Sequence, residues 1–486
     1  MSLGAVLAVS LVAVLAVSLG AGLAVPLRVV SGRDLGTSAV GPIGRAAPIG
    51  RVGSANRRRV TATAHPRFPV LVWSLTAARS AARGRRGRRW PSNSVLRIHP
   101  MQDVLVAGGG VIGLSIAWKA AASGMKVVLC DPSPGRGATW AAAGMLAPVT
   151  EAHIGEEAIV AMNLAAADRW PSFAAELETA TGQSVGYRQC GTVVVAVDAS
   201  DMAVIDRILA FHATLGLASR RLTASQCREL VPLLAPGVRG GASAPADHQV
   251  DNRLLAAALE KAVVAHGVDV VPACVSEICV SETGGRSGAA KRARATGVRL
   301  ADGRTIDAGA VVVATGCWTP KLSGLPEGIL PPVRPVKGHV LRLRGSASEP
   351  LIDRNVRCMV HGSYVYLVPR ADGTIVVGAT VEEMGYDTRI QAGAVYRLLR
   401  DAQSAVPGIV ELELAESYAG LRPGSFDNGP YVGWTHLERL AVATGHYRNG
   451  ILLGPVTADA VCGLLGGESL PDFLEPFRAD RRVEAL

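Results

Sequence analysis

The sequence predicts an α/β fold, α+β overall, in which a Rossmann-like nucleotide-binding domain is interleaved with a second domain built on a mixed sheet. Residues 103–131 follow the order strand, glycine turn, helix and strand, which is the pattern of a βαβ unit. Strand-rich segments at 185–197 and 338–380 separate this unit from later helical and glycine-rich segments. The chain of 486 residues is 49% hydrophobic, so two or three full-sized cores can form.

The first hundred residues differ in composition from the rest of the chain. They hold fifteen arginines and one acidic residue, Asp34, so they carry +14, and the remainder carries −4 of the total of +10. The basic balance therefore says little about the rest of the chain, and we expect no nucleic-acid partner. Residues 3–27 are an uncharged, apolar run that is long enough to span a bilayer.

We expect residues 1–100 to be a low-complexity apolar and Arg-rich extension that is not folded or not native, with Met101 as the true start. Two alternatives are a membrane anchor through residues 3–27, whose arginine-rich flank favours a cytoplasmic C-terminal side, and an organelle transit peptide. We predict a cytoplasmic protein. The eight cysteines are scattered without a CxxC pair, as in a reducing compartment, and no ligand spacing indicates a metal site.

The βαβ unit begins with a strand at Val104–Ala107, followed by the glycine turn GGGVIG at 108–113. A helix should follow to about Ser123, with Gly124 in the left-handed conformation at its end. The second strand should cover Lys126–Cys130. In such a unit the helix N-terminus offers free N–H groups and a positive dipole end to a pyrophosphate.

Each polar or glycine position of this motif has a physical role. Gly108 permits the tight turn, Gly110 lets the pyrophosphate approach the backbone, and Gly113 lets helix and strand pack closely. Asp131, at the end of the second strand, can accept hydrogen bonds from ribose hydroxyls. These residues predict a dinucleotide site without deciding between NAD and FAD.

Three further stretches favour FAD over a nicotinamide cofactor. They are a small-residue loop at Gly135–Pro148, a buried strand that ends in the turn around Gly316, and a glycine loop that opens an apolar helix within Gly445–Leu465. Glycine turns let backbone approach a ligand closely. Because these turns are spread along most of the chain, they suit an extended cofactor better than one held in a single half.

Six stretches resemble the D-amino-acid oxidase family of flavoproteins, and within it the glycine oxidases of thiamine (thiazole) biosynthesis. They are VAGGGVIGLSIAW, ATWAAAGMLAP, PVKGH, YLVPRADGTIVVGATVEEMGYDT, YAGLRPGSFDNGPYVG and GHYRNGILLGP. The resemblance implies FAD as the cofactor. Together with the motif and the Gly316 turn, it predicts these FAD-binding residues: Gly108, Gly110, Val111, Ile112, Gly113, Asp131, Ala138, Thr139, Ala143, Gly144, Met145, Val275, Gly316, His446, Tyr447, Arg448, Asn449, Gly450, Ile451 and Leu452.

For the substrate, the resemblance implies Tyr366, Arg422 and Arg448, with Glu151 and Met145 near the mouth of the site. The planar guanidinium group of arginine suits the carboxylate of an amino acid, because it can donate two parallel hydrogen bonds. Strand alternation in YVYLVPR places Tyr364, Tyr366 and Val368 on one face. We predict that Arg422, in AGLRPG, lies in a turn between the domains.

Two departures from the family pattern concern the acceptor and the substrate. Val381 stands where glycine oxidases can carry Met and other amine oxidases of the wider family can carry Lys, so oxygen reactivity cannot be assigned to a lysine there. Trp140 stands where Ser or Lys is ordinary, which leaves the size of the substrate open.

The sequence thus predicts FAD-dependent oxidative deamination of glycine or another small amino acid to the imine or 2-oxo acid, ammonia and hydrogen peroxide. No side chain is predicted to be catalytic, because the flavin performs the hydride transfer. Expected partners are the amino acid, molecular oxygen, the thiazole synthesis machinery and further copies of the chain in a homo-oligomer. Alternatives are a D-amino-acid dehydrogenase that passes electrons to a quinone, a sarcosine-type amine oxidase, a flavin-binding protein without turnover, and an NAD-linked dehydrogenase.

The predicted domain boundaries follow from these assignments. We expect the FAD-binding domain to comprise 101–180, 242–330 and 423–480, and the substrate domain to comprise 181–241 and 331–422.

Overall fold

The structure is a computed structural model, and it describes residues 102–283 and 292–481. The predictions for residues 1–100 lie outside the described residues. The helices are α1 Val111–Ala122, α2 Ala138–Ala141, α3 Glu157–Thr181, α4 Ala199–Thr214, α5 Ala224–Leu230, α6 Asn252–Ala265, α7 Ala392–Ala405 and α8 Gly450–Leu465. The strands are β1 Gln102–Ala107, β2 Val127–Cys130, β3 Met145–Leu146, β4 Thr192–Ala196, β5 Arg220–Thr223, β6 Gly240–Ala244, β7 His248–Gln249, β8 Asp269–Val271, β9 Val275–Thr283, β10 Arg292–Leu300, β11 Thr305–Val313, β12 Arg334–Arg344, β13 Asn355–Val360, β14 Ser363–Pro369, β15 Thr374–Gly378, β16 Glu413–Gly424, β17 Tyr431–Trp434 and β18 Leu440–Thr444.

The first sheet has the strand order β17-β18-β11-β1-β2-β8, and the antiparallel strands β10 and β9 extend from β11. Strand β1 lies between β11 and β2 and is parallel to both. Its residues Val104 and Val106 belong to the core beneath the helices, whereas Leu105 and Ala107 belong to the core on the opposite face. The continuous apolar sequence of β1 therefore reflects burial on both faces, as in other parallel sheets.

The second sheet has the strand order β16-β12-β15-β14-β13-β4-β6-β5. Strands β13 and β4 are parallel, whereas the neighbours on either side of them pair in antiparallel fashion. One face packs against α7 through a core that includes Leu341, Leu367 and Leu398. The other face, which carries Tyr366, lines the large cavity described below.

The predicted βαβ unit is confirmed, and so are two helices further along the chain. The helix predicted from about residue 156 to 181 is Glu157–Thr181, and the one predicted at 251–267 is Asn252–Ala265, capped by the Asp251 carboxylate. The strand-rich segment at 185–197 contains only Thr192–Ala196 as a longer strand. Its beginning is irregular because Gly186 and Gly191 have positive φ angles of 67° and 69°.

Segments of the two sheets alternate along the chain, since β4 to β6 and β12 to β16 interrupt the strands of the first sheet. The proposed domain boundaries rest on this alternation and stay a prediction. Within residues 102–283 and 292–481, no helix has an apolar stretch long enough to cross a membrane.

Candidate active site

The glycine turn after β1 forms a cradle of close backbone contacts. A Cβ atom on Gly108, whose φ is 105°, would lie 2.4 Å from the carbonyl oxygen of Ala314. A Cβ on Gly113 would lie 1.9 Å from the carbonyl oxygen of Gly108. At Gly110, by contrast, the nearest contact would be the Thr139 hydroxyl oxygen at 3.5 Å. A side chain would fit at Gly110, and the open space beside this residue is part of the cavity. A phosphate group could therefore approach the backbone closely at Gly110.

The N-terminus of α1 is arranged to receive an anion. Its cap residue is Gly110, its first turn carries no acidic side chain, and the Val111 N–H donates to the Thr139 hydroxyl oxygen at 2.8 Å. The other N–H groups of the first turn have no partner within the helix. The positive end of the helix dipole therefore faces the cavity beside Gly110.

We predict that Gly113→Ala lowers FAD affinity at least tenfold and destabilises the fold by about 1–3 kcal/mol, the usual effect of overpacking. An ordinary helical Gly→Ala change stabilises by up to about 1 kcal/mol, so the sign itself is informative. Titration of the apoprotein with FAD and thermal unfolding measure the two effects. Gly237→Ala is the control, since its Cβ would meet no atom within 4 Å among the described residues. Unchanged FAD affinity in Gly113→Ala would contradict the tight packing of α1.

Asp131 lies in the wall of the cavity directly after β2. Its Oδ2 accepts a hydrogen bond from the Gly109 N–H at 2.7 Å, and its Oδ1 accepts one from the Ser133 N–H at 2.7 Å. Each carboxylate oxygen has a second lone pair, so Asp131 can still accept hydrogen bonds from ribose hydroxyls.

The loop after α2 is held between the two sheets by a buried arginine that follows β14. Arg370 donates from Nη2 to the Ala143 carbonyl at 2.5 Å and to Asn252 Oδ1 at 3.1 Å, and from Nη1 to Gln249 Oε1 at 2.8 Å. Asn252 in turn donates to the carbonyl oxygens of Thr139 and Trp140, both at 2.9 Å. Burial lowers the pKa of Arg370 to about 10, so it stays charged at neutral pH.

Two guanidinium groups lie close to the ring of Trp140, which belongs to α2. The Arg136 and Arg253 guanidinium carbons are 3.9 and 4.1 Å from its ring centroid, and Arg253 also forms an ion pair with Glu416. These contacts give Trp140 a packing role through cation–π interaction.

The prediction that Arg422 lies in a turn is wrong, because this residue lies inside β16, where it pairs with Val336 of β12. Its guanidinium packs over Gly338, where an added Cβ would lie 2.4 Å from Nη1. Nη1 donates to the Thr380 carbonyl at 3.1 Å. Arg422 is thus held in the cavity wall by contacts that use only part of its donor capacity.

Tyr366 lies on β14 with its ring over Gly378, where an added Cβ would lie 2.4 Å from the Tyr366 hydroxyl oxygen. Burial raises the pKa of Tyr366 to about 12, and the charge of nearby Arg422 acts in the opposite direction. Tyr366 therefore keeps its proton and can donate a hydrogen bond beside Arg422. Both side chains line the same cavity, which has a volume of about 920 Å³.

The third predicted substrate residue, Arg448, is paired with acidic side chains. Its Nε is 3.0 Å from Glu151 and its Nη2 is 3.0 Å from Glu156. Glu151 also forms an ion pair with Arg357 at 2.6 Å. Burial alone would raise the pKa of Glu151, but Arg357 and Arg448 outweigh it and hold this pKa well below its ordinary value. The Nε and Nη2 donors of Arg448 are thus already paired with the carboxylates of Glu151 and Glu156.

We predict that Glu151→Gln destabilises the protein by about 1–3 kcal/mol at neutral pH, because it leaves two guanidinium groups without their shared carboxylate. The pKa of Glu151 is lower in the folded chain than its value of 4.5 in the unfolded chain. The ionised Glu151 carboxylate therefore stabilises the fold above pH 4.5, and this stabilisation is lost as pH falls through the folded pKa. The difference from wild type should therefore shrink below pH 4.5. Denaturant unfolding at several pH values measures it, with Glu413→Gln of an exposed ion pair as control. A pH-independent difference would contradict this account.

His446 precedes the short helix at Tyr447–Asn449 and is buried in the cavity wall. Its Nε2 lies 3.1 Å from the Thr457 hydroxyl oxygen. Burial lowers the pKa of His446 to about 3, so its ring is neutral at physiological pH. The ring thus links the loop before α8 to Thr457 in the second turn of that helix, and His446, Tyr447 and Arg448 of this loop line the cavity.

The cavity brings together most of the residues predicted from sequence. The predicted residues in its wall are Gly108, Gly110, Val111, Ile112, Asp131, Ala138, Thr139, Ala143, Met145, Val275, Gly316, Tyr366, Arg422, His446, Tyr447, Arg448, Gly450 and Ile451. Four others lie outside the wall: Gly113, Gly144, Asn449 and Leu452. Gly144 instead packs against the Val250 carbonyl, and the Leu452 carbonyl accepts a hydrogen bond from Trp170. The roles of all these residues in binding stay predictions.

Sequence reasoning missed two arginines of this region. Arg357 lies on β13 and pairs with Tyr366 across the sheet, so it projects from the same face into the cavity. A charged residue inside the apolar stretch NVRCMV was a usable signal, because a buried arginine needs a polar partner. Arg370, at the end of YLVPR, carried a weaker signal of the same kind.

A glycine cradle on a parallel sheet that faces polar side chains of a second sheet defines a dinucleotide-cofactor enzyme. Residues 103–464 match the family described as FAD dependent oxidoreductase (DAO), and the chain belongs to this family. This confirms the predicted family, the α/β fold and FAD as the cofactor. The glycine cradle, the open space at Gly110 and the Asp131 carboxylate fit this cofactor.

Several proteins of known name are similar to this chain. A glycine oxidase from Geobacillus kaustophilus is 34% identical over 390 residues, which cover 78% of this chain and 97% of that protein. A crystal structure of glycine oxidase from the same organism superposes with a TM-score of 0.70 and 33% identity, over 79% of this chain and 99% of that one. The bifunctional protein ThiO/ThiG of Trichormus variabilis is 32% identical over 78% of this chain, and this chain spans 55% of its length.

Proposed function

We propose that this protein is an FAD-dependent oxidase of glycine or another small amino acid, with molecular oxygen as electron acceptor. The observation that carries the proposal is the placement of Arg422 beside the protonated Tyr366 in the cavity that also contains the glycine cradle. The similarity to glycine oxidases over nearly their whole length supports the choice of substrate.

Arg422 holds the substrate carboxylate, because its guanidinium keeps free donors beside the contact with Thr380. The Tyr366 hydroxyl adds a hydrogen bond to the same carboxylate. These hydrogen bonds orient the amino acid with its α-carbon toward the cofactor. This orientation reduces the entropy cost of reaching the reactive geometry. Arg448 contributes positive potential that Glu151 and Glu156 largely balance, so we assign it a secondary role.

When bound, FAD supplies the acceptor for the hydride that leaves the α-carbon. The substrate amine must be neutral for this step, and we assign no side chain as its base. The resulting imine reacts with water to give the 2-oxo acid and ammonia. Molecular oxygen receives the two electrons and, with two protons, leaves as hydrogen peroxide.

We further propose a link to thiazole synthesis for thiamine, with the thiazole synthesis machinery as partner, a homo-oligomeric state and a cytoplasmic location. The similarity to the bifunctional ThiO/ThiG proteins supports the first of these. The second candidate function is a dehydrogenase that passes electrons to a quinone. Val381, which is exposed at the cavity, stands where other amine oxidases of the wider family can carry lysine, so no lysine at this position assigns the electrons to oxygen.

Steady-state turnover with glycine under air tests the proposal. We expect one hydrogen peroxide and one ammonia for each oxygen consumed, with glyoxylate as the carbon product. Turnover that requires a quinone analogue and consumes no oxygen would establish the dehydrogenase instead. The absence of turnover with glycine, sarcosine, D-alanine and D-proline under both conditions would contradict both candidates.

A further inference from the structure

The candidate active-site cavity has an arm that oxidation of glycine does not use. Arg357 on β13 pairs with Tyr366 on one side and with Val194 of β4 on the other, and Val194 pairs with Ala242 of β6. Directly paired residues project from the same face of a sheet. Because neighbouring strands lie about 4.8 Å apart, the face that carries Tyr366 continues about 10 Å to Val194 and about 14 Å to Ala242.

Helix α4 covers this part of the sheet and forms the other wall of the arm. Ile205, Ile208, Leu209 and His212 line the cavity and follow the spacing of one helical face. The remaining wall consists of small side chains, among them Ser219 and residues 242–244. The described residues that line the arm beyond Arg357 include no charged side chain. The arm is therefore a mainly apolar extension of the substrate site.

His212 is the largest of the polar side chains named in this wall, which also include Ser219 and Ser243. It is 3% exposed, and its Nδ1 lies 3.0 Å from the Ser219 hydroxyl oxygen. Its Nε2 is buried and has no hydrogen-bond partner within the described part of the chain. A buried polar atom without a partner destabilises the protein, so a group that bonds to it would gain in affinity. Burial lowers the pKa of His212, which leaves a neutral ring with one free hydrogen-bonding nitrogen.

We propose that this arm binds an elongated, uncharged and mainly apolar substituent of the substrate amino acid, and that His212 Nε2 bonds to a polar atom at its end. The proposal rests on the proposed function, since the arm continues from the side chains that hold the substrate. A charged end group is disfavoured, because the arm offers no partner for it among the described lining residues. The protein would then oxidise larger neutral amino acids as well as glycine.

The test compares kcat/KM for glycine, N-octylglycine, N-(8-hydroxyoctyl)glycine and both enantiomers of 2-aminodecanoic acid and 10-hydroxy-2-aminodecanoic acid, whose chains are long enough to enter the arm. Ile208→Phe narrows the arm, and we expect it to lower kcat/KM for the elongated substrates at least about tenfold, while glycine changes less than about twofold. His212→Leu should lower kcat/KM about tenfold for the hydroxyl-ended substrates, the effect of one lost hydrogen bond, and leave kcat/KM for the apolar substrates unchanged. Ala210→Phe, on the exposed side of the same helix, is the control.

Two results would overturn the proposal. One is that no elongated amino acid reduces the flavin or competes with glycine in the wild-type protein. The other is that Ile208→Phe lowers kcat/KM equally for glycine and for the longer substrates. The arm would then be a passage to the active site instead of a binding site. If glycine, sarcosine, D-alanine and D-proline all fail to reduce the flavin, the proposed function fails. The arm is then tested by the change in flavin absorbance on binding N-octylglycine, which Ile208→Phe should abolish.

Discussion

Replacement of Arg422 by alanine should weaken substrate binding by about 2–5 kcal/mol, the usual cost of removing one partner of a buried charge pair. This corresponds to an increase in the apparent dissociation constant of about thirtyfold to several thousandfold. The reason is that Arg422 supplies the guanidinium that faces the substrate carboxylate, and the paired Arg448 cannot replace it. An anaerobic titration of the flavin with glycine measures the change.

Two variants make this test specific to the guanidinium of Arg422. Arg422→Lys keeps the charge but loses the planar pair of donors, so we expect an intermediate loss. Arg389→Ala removes a side chain that is 86% exposed and should leave substrate affinity unchanged. If Arg422→Ala binds glycine as tightly as wild type does, the carboxylate lies elsewhere.

Replacement of Arg370 by alanine should destabilise the protein by about 3–5 kcal/mol and lower FAD affinity. The variant leaves the Ala143 and Val250 carbonyl oxygens and the side-chain oxygens of Gln249 and Asn252 without this buried donor. These groups fix the loop after α2, which lines the cavity next to the glycine cradle. Denaturant unfolding of the apoprotein and FAD titration separate the loss of stability from the loss of cofactor affinity.

Arg344→Ala is the matched control for Arg370, because Arg344 pairs with Glu413 where both side chains are 61% exposed. Exposed ion pairs contribute about 0–1 kcal/mol, so this variant should remain close to wild type. Equal stability of the Arg370→Ala and Arg344→Ala variants would show that Arg370 does not hold the loop.

The nucleotide-binding part of the fold was predictable because its signals are local. The glycine turn, the apolar strands and Asp131 all lie within 103–131, and the contacts that explain them join neighbours in that segment or the Gly316 turn. The stretch AGLRPG predicts a turn at Arg422 because Gly420, Pro423 and Gly424 surround it. In the structure Gly420 instead makes room inside a strand, where its Cβ would lie 2.3 Å from the Ala141 side chain.

The pairing of Arg448 could not be predicted from the sequence. Its partners Glu151 and Glu156 precede it by almost three hundred residues, and only the fold brings them together. The same holds for Arg370, whose acceptors lie between 118 and 227 residues away in the chain. Residue type and spacing indicate which side chains can bind a carboxylate. They do not show which of those side chains the protein has already neutralised.

The most direct test of this account is the anaerobic addition of glycine to the purified full-length protein with FAD bound. We expect that the visible absorbance of the oxidised flavin disappears, that air restores it, and that glyoxylate and ammonia form in equal amounts. A flavin that stays oxidised with glycine and with every other small amino acid would contradict it.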